Sequence, residues 1–228
     1  MIGGRSVLAV ITARGGSKGL PRKNLLPFRG APLIAWTIQA AQAAKSIDRL
    51  ILSSDDPEII GTARALGCEA PFRRAPELAS DTAASVDVML DAADRAPGHD
   101  IVVLLQPTSP LRTAGDIEAT LALMAESGAP SAVSVSEAPC HPYLIFQRDG
   151  AGRLSPFVEK PAELSWRRQD LPSAFRINGA VYAADLAWLR AGRSFWKAGE
   201  TVAHEMPAER SVDIDTLEDF RVAERSSA

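Results

Sequence analysis

The sequence predicts an α/β fold in which a mostly parallel sheet carries helices on both faces. Two apolar runs rich in β-branched residues, at positions 7–12 and 101–105, have the length of buried strands. Four units of a strand followed by a helix fit within about 130 residues, an order typical of parallel sheets. Beyond residue 138 the alternation stops. We therefore predict a main domain of residues 1–138 and 176–228, interrupted by a β-rich insertion over residues 139–175.

The elements of the first 138 residues are predicted from end signals and apolar spacing. Proline is favoured in the first turn of a helix, where its missing N–H would have no partner. An aspartate just before a helix caps the free N–H groups of that turn. These signals predict a helix from Pro32, a strand over 49–54, a helix from Pro57 to about Gly67, a short strand over 68–72, a helix capped by Asp81, the strand over 101–105, a helix over 115–126 and a strand over 132–135.

The remainder of the chain is predicted to contain shorter elements. A strand at Tyr143–Gln147 and a turn at Asp149-Gly150 fall within the insertion. A strand over 179–184 returns to the sheet, a short strand follows at 212–214, and a helix over Leu217–Glu224 closes the fold.

Composition and charge exclude several classes of protein. The chain has 228 residues, 46% of them hydrophobic, so it can bury a full core and is neither disordered nor collagen-like. Its net charge of −3 argues against nucleic acid or an anionic membrane as a partner. No apolar run approaches the roughly 20 residues of a membrane helix, and the N-terminus lacks a signal-peptide pattern, so a cytoplasmic location is expected. Cys68 and Cys140 lie in no metal-ligand spacing and are expected to be reduced.

The loop after the first strand carries a concentration of positive charge. Ligands of open α/β sheets bind beyond the carboxyl ends of the strands. Residues 13–24 (ARGGSKGLPRKN) combine four cations with three glycines at that position, which suits a polyphosphate. Neither the Walker A pattern nor the dinucleotide fingerprint is present. A solvated basic loop is the alternative.

Two further loops offer neutral hydrogen-bonding groups. In the loop 106–112 (QPTSPLR), two prolines fix the backbone, and the polar side chains either contact a ligand or form a capped turn. Residues 74–81 precede a predicted helix. Ser80 and Asp81 in this loop either cap that helix or contact a nucleoside.

The segment 211–216 (SVDIDT) carries a pair of carboxylates near the end of the chain. Asp213 and Asp215 are two residues apart on a predicted extended segment, which puts both side chains on one side. Adjacent carboxylates repel unless a cation lies between them, so we predict a Mg²⁺ site here. For Asp215 the alternative is the N-cap of the last helix.

The segment 176–182 (RINGAVY) enters a predicted strand with polar side chains on one face. Arg176 and Asn178 alternate onto that face with Tyr182 in phase, either as ligand contacts or as ordinary strand decoration. The three histidines are scattered, and no nucleophile-elbow or zincin motif is present. Serine hydrolase and zinc peptidase functions therefore have no support.

Taken together, five segments resemble the acylneuraminate cytidylyltransferase family, the CMP-sialic acid synthetases. The likeness covers nearly the whole chain in the family's order, and Thr12 is a departure, since a proline is expected there. The five segments are ARGGSKGLPRKN at 13–24, RAPELASDTA at 74–83, LQPTSPLR at 105–112, RRQDLPSAFRINGAVY at 167–182 and SVDIDT at 211–216.

The resemblance implies a Rossmann-like sheet of the nucleotide-diphospho-sugar transferase type. It also implies transfer of CMP from CTP to the anomeric hydroxyl of a nine-carbon 2-keto sugar acid, with Mg²⁺ and release of pyrophosphate. It further implies a homodimer in which the insertion reaches the neighbouring active site, so Arg168 is a candidate for a contact in trans. The implied residues are Ala13, Arg14, Gly15, Ser17, Lys18, Lys23, Asn24, Ser80 and Asp81 for the nucleotide; Gln106, Thr108, Ser109, Arg168, Arg176, Asn178 and Tyr182 for the sugar acid; Asp213 and Asp215 for the metal; and Arg14, Lys23, Asp213 and Asp215 for catalysis.

The chemistry of this reaction suits the residue types present. Attack of the sugar hydroxyl on the α-phosphorus places charge on the leaving phosphates, which cations stabilise more in the transition state than in the ground state. The acceptor's carboxylate calls for an arginine or neutral donors nearby. The hydroxyl must also lose its proton, and either a metal-activated hydroxide or Asp215 could accept it.

Three other functions remain open from the sequence. The same reaction on legionaminic or pseudaminic acid changes only the acceptor, whereas the long loop at 13–24 argues against a deoxyoctulosonate acceptor. A glycosyltransferase that uses a nucleotide sugar usually has its D-x-D pair in the middle of the chain. A catalytically silent nucleotide-binding module would not need the paired aspartates.

Overall fold

Strands and helices alternate through most of the molecule. A computed structural model gives the fold, and the structure describes residues 1–16 and 19–225, with the backbone alone at Arg168. The strands are β1 Val7–Thr12, β2 Pro27–Phe28, β3 Ala31–Pro32, β4 Arg49–Ser53, β5 Ile101–Leu105, β6 Ser131–Glu137, β7 Phe146–Arg148, β8 Leu154–Pro156, β9 Phe175–Asp185 and β10 Thr201–Glu205. The helices are α1 Leu33–Ala43, α2 Pro57–Ala65, α3 Ser85–Arg95, α4 Ala114–Ser127, α5 Leu186–Gly192 and α6 Leu217–Arg225.

A central sheet has the order β10-β6-β9-β5-β1-β4 among the described strands. Strand β1 runs parallel to β4 and β5, and β10 runs parallel to β6. Strand β9 runs antiparallel between β5 and β6. The predicted mostly parallel α/β fold is therefore confirmed, with one reversed strand. Within the described residues, no helix is long and apolar enough to cross a membrane.

Both faces of the sheet are covered by helices. In β1, Val7, Ala9 and Ile11 pack with apolar residues of α1, α2 and α4. The alternate residues Leu8 and Val10 pack with α3 and α5 on the opposite face. A strand buried on both sides reads as a continuous apolar run, which explains the VLAVIT sequence. The carboxyl ends of β1, β4 and β5 consequently open at one edge of the sheet, where their loops meet.

Two predicted strands are absent from the structure. Residues 68–72 contribute one isolated bridge, between Glu69 and Ile51, instead of a strand. Pro71 has no N–H to donate, so the ladder cannot continue there. Residues 212–214 are irregular because the backbone groups of Ile214 bond to Thr108 and to a lysine side chain rather than to a strand.

The predicted cap of α3 is also wrong. The helix begins at Ser85 with Ala84 as its N-cap, so Asp81 lies too early in the chain to cap it. The sequence predicts neither α5 nor β10. Strand β10 is short and largely polar because it lies at the edge of the sheet, where an apolar pattern is weak.

Between β6 and β9 the chain leaves the sheet, where the sequence predicts the insertion. Strands β7 and β8 form a hairpin that pairs with no other described strand. Its first strand begins at Phe146, later than predicted, because Pro142–Leu144 forms a short 3₁₀ turn. Most of the large apolar side chains that are exposed in the described part of the chain belong to this segment.

Candidate active site

A cavity of about 470 Å³ opens beyond the carboxyl ends of β1 and β5. Three segments that the sequence analysis singled out contribute to its wall. The loop 13–24 provides cations, the loop after β5 provides Gln106 and Thr108, and the segment 211–216 provides both aspartates. Segments from the two ends of the chain therefore face one space.

A lysine joins the first loop to the carboxylate segment. Lys23 is buried, and its Nζ donates to Asp215 Oδ1 at 2.9 Å and to the carbonyl of Ile214 at 2.7 Å. Asp215 itself keeps 72% of its side chain exposed. Gly19 packs so closely on the Asp215 carbonyl that an added Cβ would overlap it. The lysine thus holds Asp215 at the cavity wall, where its carboxylate is accessible.

Hydrogen bonds to the end of β4 and the start of α2 shape the first loop. The Ala13 amide donates to Ser53 O at 3.1 Å, and the Gly15 amide donates to Asp55 Oδ1 at 3.0 Å. An added Cβ at Gly15 would lie 2.7 Å from Asp56 Oδ2, so only glycine fits. Ala13 and Gly15 therefore place the loop against the sheet.

Other predicted nucleotide contacts lie in or beside this loop. Asn24 is buried, and its Nδ2 donates to the carbonyl of Arg14 at 3.1 Å, so it braces the loop from inside. Ser17 and Lys18 lie outside the described residues.

A second cavity of about 230 Å³ adjoins the first, and Thr12 and Arg14 line both. Ser80 and Asp81 line this second cavity. Arg14 Nη1 contacts Asp81 Oδ1 at 2.6 Å, which explains why Asp81 is turned away from α3. The hydroxyl of Ser80 donates to Glu77 O at 3.1 Å. The two predicted nucleotide-binding segments therefore touch.

Arg74 is a site residue that the sequence analysis did not single out. Its side chain is buried in the wall of the second cavity, donates from Nε to Ser53 Oγ at 3.0 Å, and also donates to Ser53 O. Burial lowers the pKa of Arg74 to about 10, so it remains a cation at neutral pH. The adjacent Arg73 carries the same residue type, and only the fold shows which of the pair faces the cavity.

Asp213 is the more buried carboxylate of the pair. Its Oδ1 is buried and has no hydrogen-bond partner among the described residues. Burial raises the pKa of Asp213, and Asp215 raises it further, although a hydrogen bond from Thr108 opposes both effects. A buried carboxylate oxygen without a partner, close to a second carboxylate, is suited to a bound cation.

The alternative role for Asp215, as N-cap of α6, is wrong. The Asp219 amide donates to Thr216 Oγ1 at 3.2 Å, and the Thr216 amide donates to Asp219 Oδ2 at 2.7 Å. This reciprocal pair caps the helix. The Asp215 carboxylate is consequently left to Lys23 and the cavity.

Gly179 brings the loop after β5 close to the carboxylate segment. Its φ is +81°, and an added Cβ would lie 3.1 Å from Gln106 Oε1, 3.7 Å from Ser109 Oγ and 3.8 Å from Asp213 Oδ2. Ser109 is buried, and its hydroxyl has no partner among the described residues. The glycine therefore allows three polar side chains from different segments to converge.

The predicted shared face of Arg176, Asn178 and Tyr182 is wrong. The pairing of β6 with β9 shifts register between Val133 and Val135, which breaks the alternation along β9. Tyr182 consequently packs on the opposite face, with its ring centroid 5.5 Å from that of Phe195. Burial raises the pKa of Tyr182, and the nearby Asp213 raises it further.

Arg176 and Asn178 both contact the carboxylate segment. Asn178 is buried, donates from Nδ2 to Ser211 Oγ at 3.0 Å and accepts from Ser134 Oγ at 2.6 Å. Arg176 is exposed, and its Nη2 donates to Ser211 O at 3.2 Å. Only the backbone of Arg168 is described, so its side chain is not placed.

Comparison with known proteins identifies relatives over nearly the whole chain. The family model described as Cytidylyltransferase matches residues 8–179. The chain is 32% identical to an N-acylneuraminate cytidylyltransferase of Oncorhynchus mykiss over 97% of its length, and 34% identical to one of Streptococcus agalactiae serotype V over 93%. It spans about half of these relatives, 50% and 51% of their lengths.

A third relative is matched along nearly its whole length. It is a CMP-N,N'-diacetyllegionaminic acid synthase of Legionella pneumophila, 31% identical over 96% of this chain and 95% of its own.

Solved structures share the fold at lower sequence identity. One is a CMP:2-keto-3-deoxy-manno-octonic acid synthetase complexed with CTP, with a TM-score of 0.72 and 19% identity over 96% of this chain and 97% of that one. Another is a 4-diphosphocytidyl-2C-methyl-D-erythritol synthase from Anaerococcus prevotii, with a TM-score of 0.66, 15% identity and 97% coverage of both chains. With the family model and the relatives above, these findings show that the chain belongs to the cytidylyltransferase family.

Proposed function

We propose that this chain transfers CMP from CTP to the anomeric hydroxyl of a nine-carbon 2-keto sugar acid of the N-acylneuraminate type, releasing pyrophosphate. The observation that carries the proposal is one cavity walled by both the cationic loop and the aspartate pair, with Lys23 bonded to Asp215 at 2.9 Å. The names of the relatives support the nucleotide and the acceptor class.

The two adjoining cavities suit the two halves of the nucleotide. Lys23 and Arg14 line the larger one and would hold the triphosphate, together with Lys18 as predicted from the sequence. Arg74 and Ser80 line the smaller one, which would take the base. A cytosine offers two acceptors, N3 and O2, to which a guanidinium can donate. Arg14, at the junction of the cavities, would then contact the phosphates nearest the nucleoside.

The proposed reaction replaces a phosphoanhydride bond of CTP by a phosphate ester bond to the sugar acid. A bond forms between the anomeric oxygen and the α-phosphorus, the bond from that phosphorus to pyrophosphate breaks, and the hydroxyl loses its proton. Negative charge increases on the leaving pyrophosphate in the transition state. Lys23 and Arg14 would therefore stabilise the transition state more than the ground state, and this difference is what raises kcat.

We propose Mg²⁺ as the metal ion, held by Asp213 and Asp215. The unpartnered Asp213 Oδ1 fits such a role, and cytidylyltransferases typically use a divalent metal. No group of three or more described His, Cys, Asp or Glu residues could hold a metal, so phosphate oxygens would complete the shell. When bound, Mg²⁺ would neutralise phosphate charge near the reacting centre.

The acceptor would lie on the other side of the aspartates. Gln106 and Thr108 line the main cavity and offer neutral hydrogen bonds, while Arg176 supplies a positive charge for the acceptor's carboxylate. Ser109 and Asn178 are buried beside these groups and would act by holding them in place. The hydroxyl of Tyr182 remains a proposed contact from the opposite face of β9.

A specific observation favours legionaminic acid as a second candidate acceptor. The Legionella relative is matched over 95% of its length, whereas the acylneuraminate relatives are matched over about half. The two sugar acids undergo the same reaction, so the residues discussed above serve either acceptor.

The exposed apolar side chains of the insertion support a homodimer. We propose that a second copy covers them and that Arg168 then contributes to the partner's site. Because the reaction consumes CTP, which is held in the cytoplasm, we propose that the protein works there.

The experiment that tests the function measures pyrophosphate release from CTP and Mg²⁺ with a panel of acids. The panel contains N-acetylneuraminate, N,N'-diacetyllegionaminate, pseudaminate and 3-deoxy-manno-octulosonate. We expect turnover with one of the first three and the highest kcat/KM for the natural acceptor. If no acid of the panel supports pyrophosphate release, a silent binding module is favoured. Sugar transfer from a CMP-sugar would favour a glycosyltransferase.

A further inference from the structure

An ion pair with a buried carboxylate and a partly exposed arginine lies outside the cavity, next to the segment that carries the two aspartates. Asp116, in the first turn of α4, is 2% exposed. Arg210 contacts it in bidentate fashion, from Nη2 to Oδ1 at 2.8 Å and from Nε to Oδ2 at 3.0 Å. Bidentate pairs fix the relative orientation of the two side chains as well as their distance.

The two partners belong to the two segments that meet at the cavity. Asp116 follows the loop 106–112, and it also forms the capping box with Thr113 that begins α4. Arg210 directly precedes Ser211, the first residue of the carboxylate segment. The ion pair therefore joins the end of one segment to the start of the other.

A second tie joins the same segments closer to the cavity. The Ile214 amide, which lies between Asp213 and Asp215, donates to Thr108 O at 2.8 Å. The ion pair at the base and this hydrogen bond at the tip both attach the backbone of the aspartates to the chain that follows β5. Without the ion pair, the Ile214–Thr108 bond remains at the tip, together with the contacts that Lys23, Arg176 and Asn178 make with the segment.

Asp116 also faces a second cation, which is buried. Burial lowers the pKa of Arg112 to about 10, and the nearby negative charge of Asp116 opposes that shift. Arg112 donates from Nη1 to the carbonyls of Gln106 and Ala180. His204 lies on the far side, with Nε2 3.7 Å from Asp116 Oδ1. Asp116 is thus the anion around which the ends of both segments are arranged.

We propose that the Asp116–Arg210 pair is a positioning element that sets where Asp213 and Asp215 lie relative to Gln106 and Thr108. Neither partner touches the cavity, so the pair acts through the backbone it holds. The inference rests on the proposed function, since it assumes that the two aspartates work against a ligand bound at the loop 106–112.

A second ion pair provides a matched control. Asp185 caps α5 and is bound by Arg5 Nη1 at 3.2 Å, so an arginine again pairs with an acid in the cap of a helix. The Arg5 and Arg210 side chains are equally exposed, at 38%. The Asp185 side chain is 30% exposed and that of Asp116 is 2% exposed, so loss of Arg5 should cost less stability than loss of Arg210. Only Arg210 adjoins the carboxylate segment, so only its loss should change the position of the aspartates.

The experiment compares Arg210→Gln and Arg210→Lys with Arg5→Gln. It measures thermal unfolding, the amide hydrogen exchange of Ile214 by NMR, and pyrophosphate-release kinetics. For Arg210→Gln we expect Ile214 to exchange about tenfold faster as the segment opens locally. We also expect kcat to fall about 10- to 100-fold with little change in KM for CTP, because misplaced catalytic groups slow the chemical step more than they weaken binding. Arg210→Lys should recover part of the Ile214 protection and part of kcat.

Arg5→Gln should lower the melting temperature without changing the Ile214 exchange rate or kcat. The proposal is overturned if Arg210→Gln leaves Ile214 protected, or if both Gln variants change kcat equally. Should Arg210→Gln fail to fold, Arg210→Lys decides by the same two measurements. An inactive wild-type protein would contradict the proposed function, whereas the exchange of Ile214 tests the positioning role independently of activity.

Discussion

The sheet and the insertion, residues 139–175, bury their apolar side chains to very different extents. In β1 and β5, the apolar side chains are at most 1% exposed. In the insertion, Leu154, Phe157 and Trp166 are 67%, 63% and 59% exposed. One chain therefore contains a region with a complete core and a region without one.

The difference shows that the sheet region can fold stably within one chain, whereas the insertion lacks a core of its own. The strands of the sheet are paired and covered by helices on both faces, so their backbone and side chains are satisfied within the chain. The insertion has two strands of three residues each, and a lone hairpin is only marginally stable in water. Exposed apolar side chains concentrated in one segment are typical of an interaction surface. We therefore propose that the sheet region carries the chemistry and that the insertion carries the contact between copies.

The two cysteines should give the largest measured difference between the regions. Cys68 is buried in the core, where burial raises its pKa from 9.0 to about 12, while Cys140 is exposed in the insertion. A shift of that size lowers the thiolate fraction about 1,000-fold at pH 8, and the thiolate is the reactive form. Iodoacetamide should therefore modify Cys140 alone, as mass spectrometry of timed samples would show.

Unfolding in urea supplies the control for the cysteine experiment. Both thiols should then react at similar rates, because Cys68 has lost its burial. Equal rates in the native protein would contradict the assignment of Cys68 to the core.

Asp215→Asn tests whether the chemistry resides in the sheet region. The variant loses a charge at the cavity and the partner of Lys23, so we expect kcat to fall at least about 100-fold. Steady-state pyrophosphate release measures this effect. Glu218→Gln is the matched control, since Glu218 is a nearby exposed acid on α6 and outside the cavity wall. Near-normal turnover of Asp215→Asn would contradict the proposed role of the aspartate pair.

Phe157→Asp tests the role of the insertion. A charge in an apolar contact, with loss of an aromatic anchor, costs about 2 kcal/mol or more, which weakens a dimer about 30-fold. Analytical ultracentrifugation over a concentration series should show a monomer where the wild-type protein is a dimer. Trp196→Asp, at an exposed tryptophan outside the insertion, should leave the oligomeric state unchanged. A monomeric wild-type protein would remove the proposed dimer altogether.

Sequence reasoning succeeded where the determinants are local along the chain. The apolar runs of β1 and β5 predicted the parallel sheet, because continuous burial requires them. The rule that ligands bind beyond strand ends predicted two of the three segments that wall the cavity, and the spacing of the two aspartates predicted the third. These features depend on residues that are neighbours in sequence.

It failed where distant residues decide the outcome. The face on which Tyr182 lies depends on a register shift against β6, which the RINGAVY segment does not reveal. Arg74 is distinguished from Arg73 only by the fold around it. The pairing of Asp116 with Arg210 joins residues 94 positions apart, and each looks like an ordinary surface charge in the sequence.

Among the substitutions discussed, Asp116→Asn should have the smallest effect, and that effect should depend on pH. Burial alone would raise the pKa of Asp116, but hydrogen bonds from Arg210 and Thr113 outweigh it and hold the pKa below its ordinary value. A carboxyl with a lowered pKa stabilises the fold fully above its unfolded pKa of about 3.9, and this stabilisation is lost as the pH falls through the folded value. The variant should therefore be about 1 kcal/mol less stable than the wild type at pH 7, and this difference should be smaller at pH 3.

Urea unfolding at the two pH values measures the difference, and Asp149→Asn in the insertion is the control. The pKa of Asp149 is also lowered, by hydrogen bonds from the backbone and side chain of Arg153, but the Asp149 side chain is 44% exposed, against 2% for Asp116. Water replaces those hydrogen bonds when the turn opens, so its substitution should change stability less. A larger effect at Asp149 than at Asp116 would mean that the insertion contributes more to the folded state than its exposed side chains indicate.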